Sequence, residues 1–370
     1  MKRWVYLSLI SLLCACEKKQ VIPPVPTPVT AIRVVPQTIP ANFEFVAVAE
    51  SSHIVELRAR VEGYLEKIAY VEGSLVKTGD LMFVLDQRPF QAEVDKMAAE
   101  LAQQKAILWN AIQIKNRMVP LYKQNAVSQR DLDNALSDEM ASEANVLAAQ
   151  AALLKSQINL GFASISAPVT GMASRAIFRE GALISPGPNS LLTNIFVIDP
   201  IWVNFSVSEN DILKARDELK KGLLKYPEGN NFNIKVVMAD GSTMPAKGKI
   251  DFLDPAVQQT TGTTLVRSIM DNPQGWLRPG QFVRVIVEGA YHPNAIVVPQ
   301  TAVLQGQGGL FVYVVGAQGK IEIRPVILGD WYLNGWIINS GVEKGDIVVV
   351  GGVNRITNGS IVEVKTWVTE

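Results

Sequence analysis

Cysteine is nearly absent from this chain of 370 residues: Cys14 and Cys16 are the only two, and both lie at the extreme N-terminus. No disulfide framework can therefore hold the rest of the chain, which must rely on its own apolar core. Histidine is equally scarce. His53 and His292 stand far apart and have no cysteine neighbours, which argues against a zinc site. Charge of one sign is not in excess either, with 35 basic against 35 acidic residues, and no basic run is interleaved with aromatics. Nothing in that balance points to nucleic acid. Nucleophile elbows, phosphate-binding loops and dinucleotide fingerprints are missing, so the expectation is a non-catalytic protein without cofactor or resident metal. Long apolar runs are missing too, since a spanning helix needs about 20 such residues.

What is present begins at the N-terminus. Lys2 and Arg3 precede a short apolar run from Trp4 to Leu13, and small residues follow. That order describes a secretory signal peptide over residues 1–15. Leu13-Cys14-Ala15-Cys16 resembles the bacterial lipobox, which implies that Cys16 is lipidated and that acyl chains hold the protein at a membrane. Residues 16–30, rich in proline at Pro23, Pro24, Pro26 and Pro28, read as a lipidated, flexible, extended tether.

The most informative pattern is a repeat. Val61-Glu62-Gly63, Glu72-Gly73-Ser74-Leu75-Val76, Gly79 and Val84-Leu85-Asp86 recur as Val169-Thr170-Gly171, Glu180-Gly181-Ala182-Leu183-Ile184, Gly187 and Val197-Ile198-Asp199. The spacings Gly63 to Gly73 and Gly73 to Gly79 are preserved in Gly171 to Gly181 and Gly181 to Gly187. These glycines read as turns between short β-branched strands. Residues 51–87 and 161–200 are thus expected to be two halves that clasp into one lipoyl-like β-sandwich.

Between the halves, residues 88–160 are rich in Ala, Gln, Glu, Lys and Leu, a helix-favouring composition. Val94, Met97, Leu101, Leu108, Ala111 and Met118 recur with a 3.5-residue rhythm that Gln104 and Lys115 interrupt. In the second arm Met140, Ala144, Leu147, Ala151, Leu154 and Ile158 show the same rhythm and are taken as its seam. The pattern predicts an antiparallel coiled-coil hairpin. Its break falls at about residues 123–128, with Asn125 as an end-cap and Ser128 as the N-cap of the returning helix.

Residues 201–290 alternate apolar and polar and carry the turn Arg278-Pro279-Gly280, with Gly280 at its end. They predict a small β-barrel, with a helical patch near residues 210–219. Residues 291–370 predict a further β-domain. Residues 31–50 are expected to supply strands joining that domain to the barrel.

In their order, these segments resemble the periplasmic adaptors, or membrane fusion proteins, of RND-type multidrug efflux pumps. The markers are the paired halves around Val61-Glu62-Gly63 and Ala167-Pro168-Val169-Thr170-Gly171, then Ile198-Asp199-Pro200-Ile201-Trp202-Val203. Leu277-Arg278-Pro279-Gly280-Gln281-Phe282-Val283-Arg284-Val285 and Asn294-Ala295-Ile296-Val297-Val298-Pro299-Gln300 complete them. The resemblance implies a mainly β, elongated multidomain fold: α-hairpin, lipoyl-like sandwich, β-barrel and membrane-proximal β-domain. It implies a periplasmic, lipid-anchored adaptor that assembles as trimers or hexamers. Its partners would be an inner-membrane RND transporter and a TolC-like outer-membrane channel. Arg117, Leu121 and Ser128 match the family's Arg-Leu-Ser pattern at the hairpin tip, which implies docking on that channel. Adaptors of ABC-type exporters or metal pumps share the architecture and remain the alternative. Metal-pump adaptors often carry methionines near the N-terminus, and residues 17–50 contain none. In lipoyl and biotinyl carriers an acylated lysine sits on the turn between the halves. Here the hairpin occupies that place, which favours a scaffold.

Overall fold

The computed structural model describes residues 26–188 and 190–367. Cys16, the signal peptide and residues 16–25 of the expected tether lie outside them. The described chain forms two compact units. One consists of Phe43–Glu209 and Asn231–Glu288. The other contains the N-terminal strand, Asn210–Asn230 and the chain from Gly289 onward.

In the first unit the two repeated halves interlock. Strand Gly63–Ile68 pairs with Leu183–Ile184, and Leu75–Val76 pairs with Gly171–Ala173. The pairing is reciprocal. Gly63 faces Ile184 and Val76 faces Gly171, so each half's leading strand takes its partner from the other half. The loops obey the same exchange: Gly73 N–H donates to Ala173 O at 2.9 Å and Gly181 N–H to Leu65 O at 2.7 Å. One core seals the clasp, with Leu65, Val76, Met82, Phe83 and Leu85 from one half and Ile165, Ala173, Ile184, Leu192 and Ile195 from the other.

Of the sandwich glycines, Gly73, Gly79, Gly181 and Gly187 have positive φ, as does Gly280 in the barrel turn. Gly63 and Gly171 correct the expectation of turns, because they open strands and have no positive φ. Gly171 is required for another reason. A Cβ there would lie 2.6 Å from Phe196 O and 2.9 Å from Ile195 Cγ2. Only a residue without a side chain allows that backbone approach.

The clasp is also the root of a helical hairpin. Helix α1, Arg88–Lys123, leaves the first half, and α2, Gln129–Phe162, re-enters at the second. At 1.5 Å per residue each arm is about 50 Å long. The root is tied by Leu85 N–H to Ala163 O at 2.8 Å and by the pairing of Val84 with Ser164. Asp86 accepts from Arg88 N–H and Nε, and the Arg88 contact lowers its carboxyl to about 2.

In α1 Val94, Met97, Leu101, Gln104, Leu108, Ala111, Lys115 and Met118 are all buried or half-buried. This is the expected seam, and the two polar residues are members of it. Lys115 Nζ meets Glu139 Oε1 of α2 at 2.5 Å, which gives the polar seam position a partner.

The seam of α2 corrects the sequence reading. Leu132, Ala135, Glu139, Ser142, Val146, Ala149, Leu153 and Ser156 face α1. Met140, Leu147, Leu154 and Ile158 are instead exposed, Met140 by 70% and Leu147 by 63%. One residue along a helix is a rotation of about 100°. The reason for the choice lies in size. Ala135, Ser142, Ala149 and Ser156 recur every seven residues and are the buried positions of α2, so small side chains line the side where the two helices approach. Ser156 satisfies its own hydroxyl by donating to Leu153 O at 2.7 Å.

Six strands close the barrel. Phe282–Pro299, before Gly289, pairs with Asn233–Val237, which pairs with Gly248–Gln258. Thr263–Met270 follows, then Leu191–Ser208, then Gln37–Arg58. Gln37–Arg58 returns to Phe282–Pro299, with Ala49 N–H donating to Gln281 O at 2.9 Å nearby. Alternate residues Ile201, Val203 and Phe205, and Val283, Val285 and Val287, point into the core, as a two-residue strand period requires.

In the second unit Thr27–Arg33 lies between Ile347–Gly351, antiparallel, and Val362–Trp367, parallel. Residues 27–30 are therefore strand rather than tether, a correction with a clear cause. Proline is accepted at the start of a strand, and Val29 and Ala31 are buried against partners more than 300 positions away. Gly309–Val315 extends the sheet, and Ile327–Tyr332 with Gly335–Ser340 forms a hairpin whose second strand pairs with the end of Phe282–Pro299, Ile296 opposite Ile338. Helix α3, Glu209–Lys221, covers the patch expected at residues 210–219.

Candidate docking site at the hairpin tip

The tip is built by a helix stop, a short turn and a helix start. Helix α1 ends at Lys123, and Asn125 adopts φ 53°, a left-handed conformation that asparagine tolerates. Ala126 N–H then donates to Leu121 O at 2.9 Å, closing the end of the helix. Ser128 caps α2 from an extended conformation. Its Oγ accepts from Asp131 N–H at 3.2 Å, and Asp131 Oδ2 accepts from Ser128 N–H at 3.2 Å. This is a capping box. Ser128 Oγ also donates to Asp131 Oδ2 at 2.7 Å, and these bonds hold the Asp131 carboxyl below its ordinary range.

Arg117 and Leu121 lie one turn apart on α1, and both are exposed, as is Ser128. Leu121 retains 39% of its surface. The three expected docking residues thus all belong to the tip, but in different roles. Arg117 presents a forked donor and Leu121 an apolar knob to solvent, whereas the Ser128 hydroxyl is engaged in its cap.

At the other end of the hairpin are two residues whose role the sequence reading missed. Glu72 Oε1 accepts from Ala176 N–H at 2.8 Å, and Glu180 Oε1 accepts from Ile68 N–H at 2.9 Å. Each carboxylate holds the opposite half, following the same exchange as the strands. The Ala176 bond first, and then the neighbouring Arg179, keep Glu72 below its ordinary value. The signal was visible, since Glu72 and Glu180 occupy equal positions in the repeat.

His292 is buried and its Nδ1 lies 2.8 Å from Leu223 O. Among the described residues, no group of three or more His, Cys, Asp or Glu is placed to hold a metal ion. Among them also, no helix is long and apolar enough to cross a membrane.

Comparison with known proteins agrees with this geometry. The family profile "RND MFP, barrel-sandwich hybrid domain" matches residues 53–196, "RND MFPs, beta-barrel domain" residues 200–290, and "RND MFPs, C-terminal permuted SH3 domain" residues 294–355. The efflux pump periplasmic linker BepF of Brucella suis biovar 1 (strain 1330) is 35% identical over 98% of this chain and 88% of its own. The multidrug efflux pump subunit AcrA of Escherichia coli (strain K12) is 34% identical over 84% of this chain and 78% of its own. The crystal structure of MacA from Actinobacillus actinomycetemcomitans shares the fold, with a TM-score of 0.61 at 21% identity over 86% of this chain and 98% of that one. With the clasped halves, the barrel and the C-terminal β-domain each matched in order, this chain belongs to the RND membrane fusion protein family.

Proposed function

We propose that this chain is the non-catalytic periplasmic adaptor of a tripartite RND multidrug efflux pump, bridging a proton-driven inner-membrane transporter and a TolC-like outer-membrane channel. The observation that carries the reading is the hairpin. Two arms of about 50 Å rise from the join of the clasped halves and present Arg117 and Leu121, exposed, at their far end. An arm of that length serves reach rather than chemistry. Arg117 offers its fork to carbonyls or carboxylates at the end of a partner helix, and Leu121 supplies an apolar contact beside it. Acyl chains on Cys16 hold the base at the inner membrane, and a ring of three or six copies encloses the conduit. The similarity to BepF, an efflux pump periplasmic linker, and to AcrA, a multidrug efflux pump subunit, supports this assignment.

The test is complementation. In a strain lacking this chain, Arg117→Glu should fail to restore drug efflux while the protein is secreted at normal levels. A crosslinker placed at residue 121 should capture an outer-membrane channel in the wild type and lose it in the variant. Full drug resistance in the Arg117→Glu strain would remove the tip from the docking role. Recovery of an ATPase instead of an RND permease with the base would transfer the same adaptor to an ABC-type exporter.

A further inference from the structure

The hairpin Ile327–Tyr332 and Gly335–Ser340 ends in a two-residue turn, because Tyr332 pairs with Gly335 and leaves Leu333 and Asn334 as the loop. Leu333 occupies φ 50°. Glycine or asparagine is the usual choice for that conformation, and a bulky side chain there is strained. The same leucine is 75% exposed. Neither folding nor solubility is served by an apolar, strained residue at the outermost point of a turn. Its neighbours have matching chemistry. Trp331 is 45% exposed and packs edge-to-face on Trp336 at 4.8 Å, and Tyr332 precedes the turn. Beside them, Asp330 is neutralised by Lys214 of α3, so this carboxylate next to the tip is paired.

We propose that this tip, led by Leu333 and Trp331, inserts into the headgroup–acyl boundary of the bilayer that holds the acylated N-terminus. Leucine at the point with tryptophan and tyrosine behind it is the composition that partitions to a membrane interface. There the apolar bodies leave water while the indole N–H and phenol stay solvated. Chain length limits the alternatives. Thr27 begins a strand in the same compact unit, and the segment from Cys16 to Thr27 spans at most about 40 Å even fully extended. The inference therefore rests on the lipid-anchor reading for its orientation. It adds a second membrane contact to the single acyl attachment, which by itself leaves the unit free to rotate.

The experiment separates the two. The mature chain carrying Cys16→Ser, secreted through a plain signal peptide, is mixed with vesicles of phosphatidylethanolamine and phosphatidylglycerol and floated. The parent tip should bind, and Leu333→Gly and Leu333→Asn should each lower the partition on the order of tenfold, as loss of one buried leucine predicts. Both replacements suit the left-handed turn and so retain or raise stability, which excludes misfolding as the cause. Brominated acyl chains should quench tryptophan emission in the parent, and Trp331→Phe should remove that quenching. Equal flotation of the parent and the Leu333 variants would overturn the proposal. So would quenching that appears only when the transporter is present in the vesicles, because the tip would then dock on protein. Mass spectrometry of the native chain judges Cys16 independently, since the flotation uses a chain without it.

Discussion

The Lys115–Glu139 pair offers a quantitative test of the helical hairpin. Both residues sit in the seam, with side chains only 25% and 20% exposed, and their charged atoms meet between α1 and α2. Removing one partner from a fully buried pair costs about 3–5 kcal/mol, and the residual exposure here lowers that to about 1–3 kcal/mol. Lys115→Leu alone leaves Glu139 facing a leucine, and Glu139→Leu alone strands the ammonium. The double variant Lys115→Leu/Glu139→Leu restores an apolar seam and should equal or exceed wild-type stability, because well-packed apolar residues often replace a buried pair at no loss. The expected coupling energy is about 1–3 kcal/mol. Urea titration followed by circular dichroism at 222 nm reads it, since α1 and α2 supply 36 and 34 helical residues against 13 in α3. With a slope of about 1–3 kcal/mol per molar urea, each single variant should lower the midpoint by roughly 1 M. Single variants within about 0.5 kcal/mol of wild type, combined with an additive double variant, would show that the pair lies in solvent and that the seam is misplaced.

The corrected seam predicts that Leu147→Gln changes the unfolding free energy from the urea titration by no more than about 0.5 kcal/mol, whereas Val146→Asp buries an unpaired carboxylate and costs several times that. The opposite ranking in the same titration would restore the first reading. Gly171→Ala forces a Cβ against Phe196 O and should cost about 1–3 kcal/mol, read as a lower melting temperature. Equal replacement at Gly63, where the nearest atom is Leu85 Cβ at 3.5 Å, should be tolerated far better. The carboxyl of Glu72 is held below its ordinary 4.5 in the folded state. Its contribution is therefore fully present above about 4.5 and is lost as pH falls below that value. Glu72→Gln should flatten this acid limb in a melt series from pH 6 to pH 3, and an unchanged limb would remove the reciprocal clamp from the account.

Much of this architecture was readable because repeats and periods survive in one dimension. Gly63, Gly73 and Gly79 mirrored by Gly171, Gly181 and Gly187 announced two halves, and the interrupting helical composition announced the hairpin. The α1 seam was also readable, since large apolar residues mark it. The α2 seam was not. Apolarity alone nominated Met140 and Leu147, yet packing against α1 selects Ala135, Ser142, Ala149 and Ser156, whose small size matters only once a second helix lies opposite. The tip pattern Arg117, Leu121 and Ser128 was legible as residues, but the engagement of the Ser128 hydroxyl by Asp131 became visible only in the cap.

The sequence by itself determined that two matching β motifs flank a helical arm, and that a barrel and a further β-domain follow. Local composition and spacing suffice for these, because each depends on the period and punctuation of a single segment. Tertiary structure alone decided which strand of one half pairs with which of the other, which side of α2 meets α1, and that Thr27–Arg33 belongs to a sheet completed by Ile347–Gly351 and Val362–Trp367. Those choices depend on fit between residues far apart in the chain, and no local pattern encodes the volume or the free backbone group waiting on the other side.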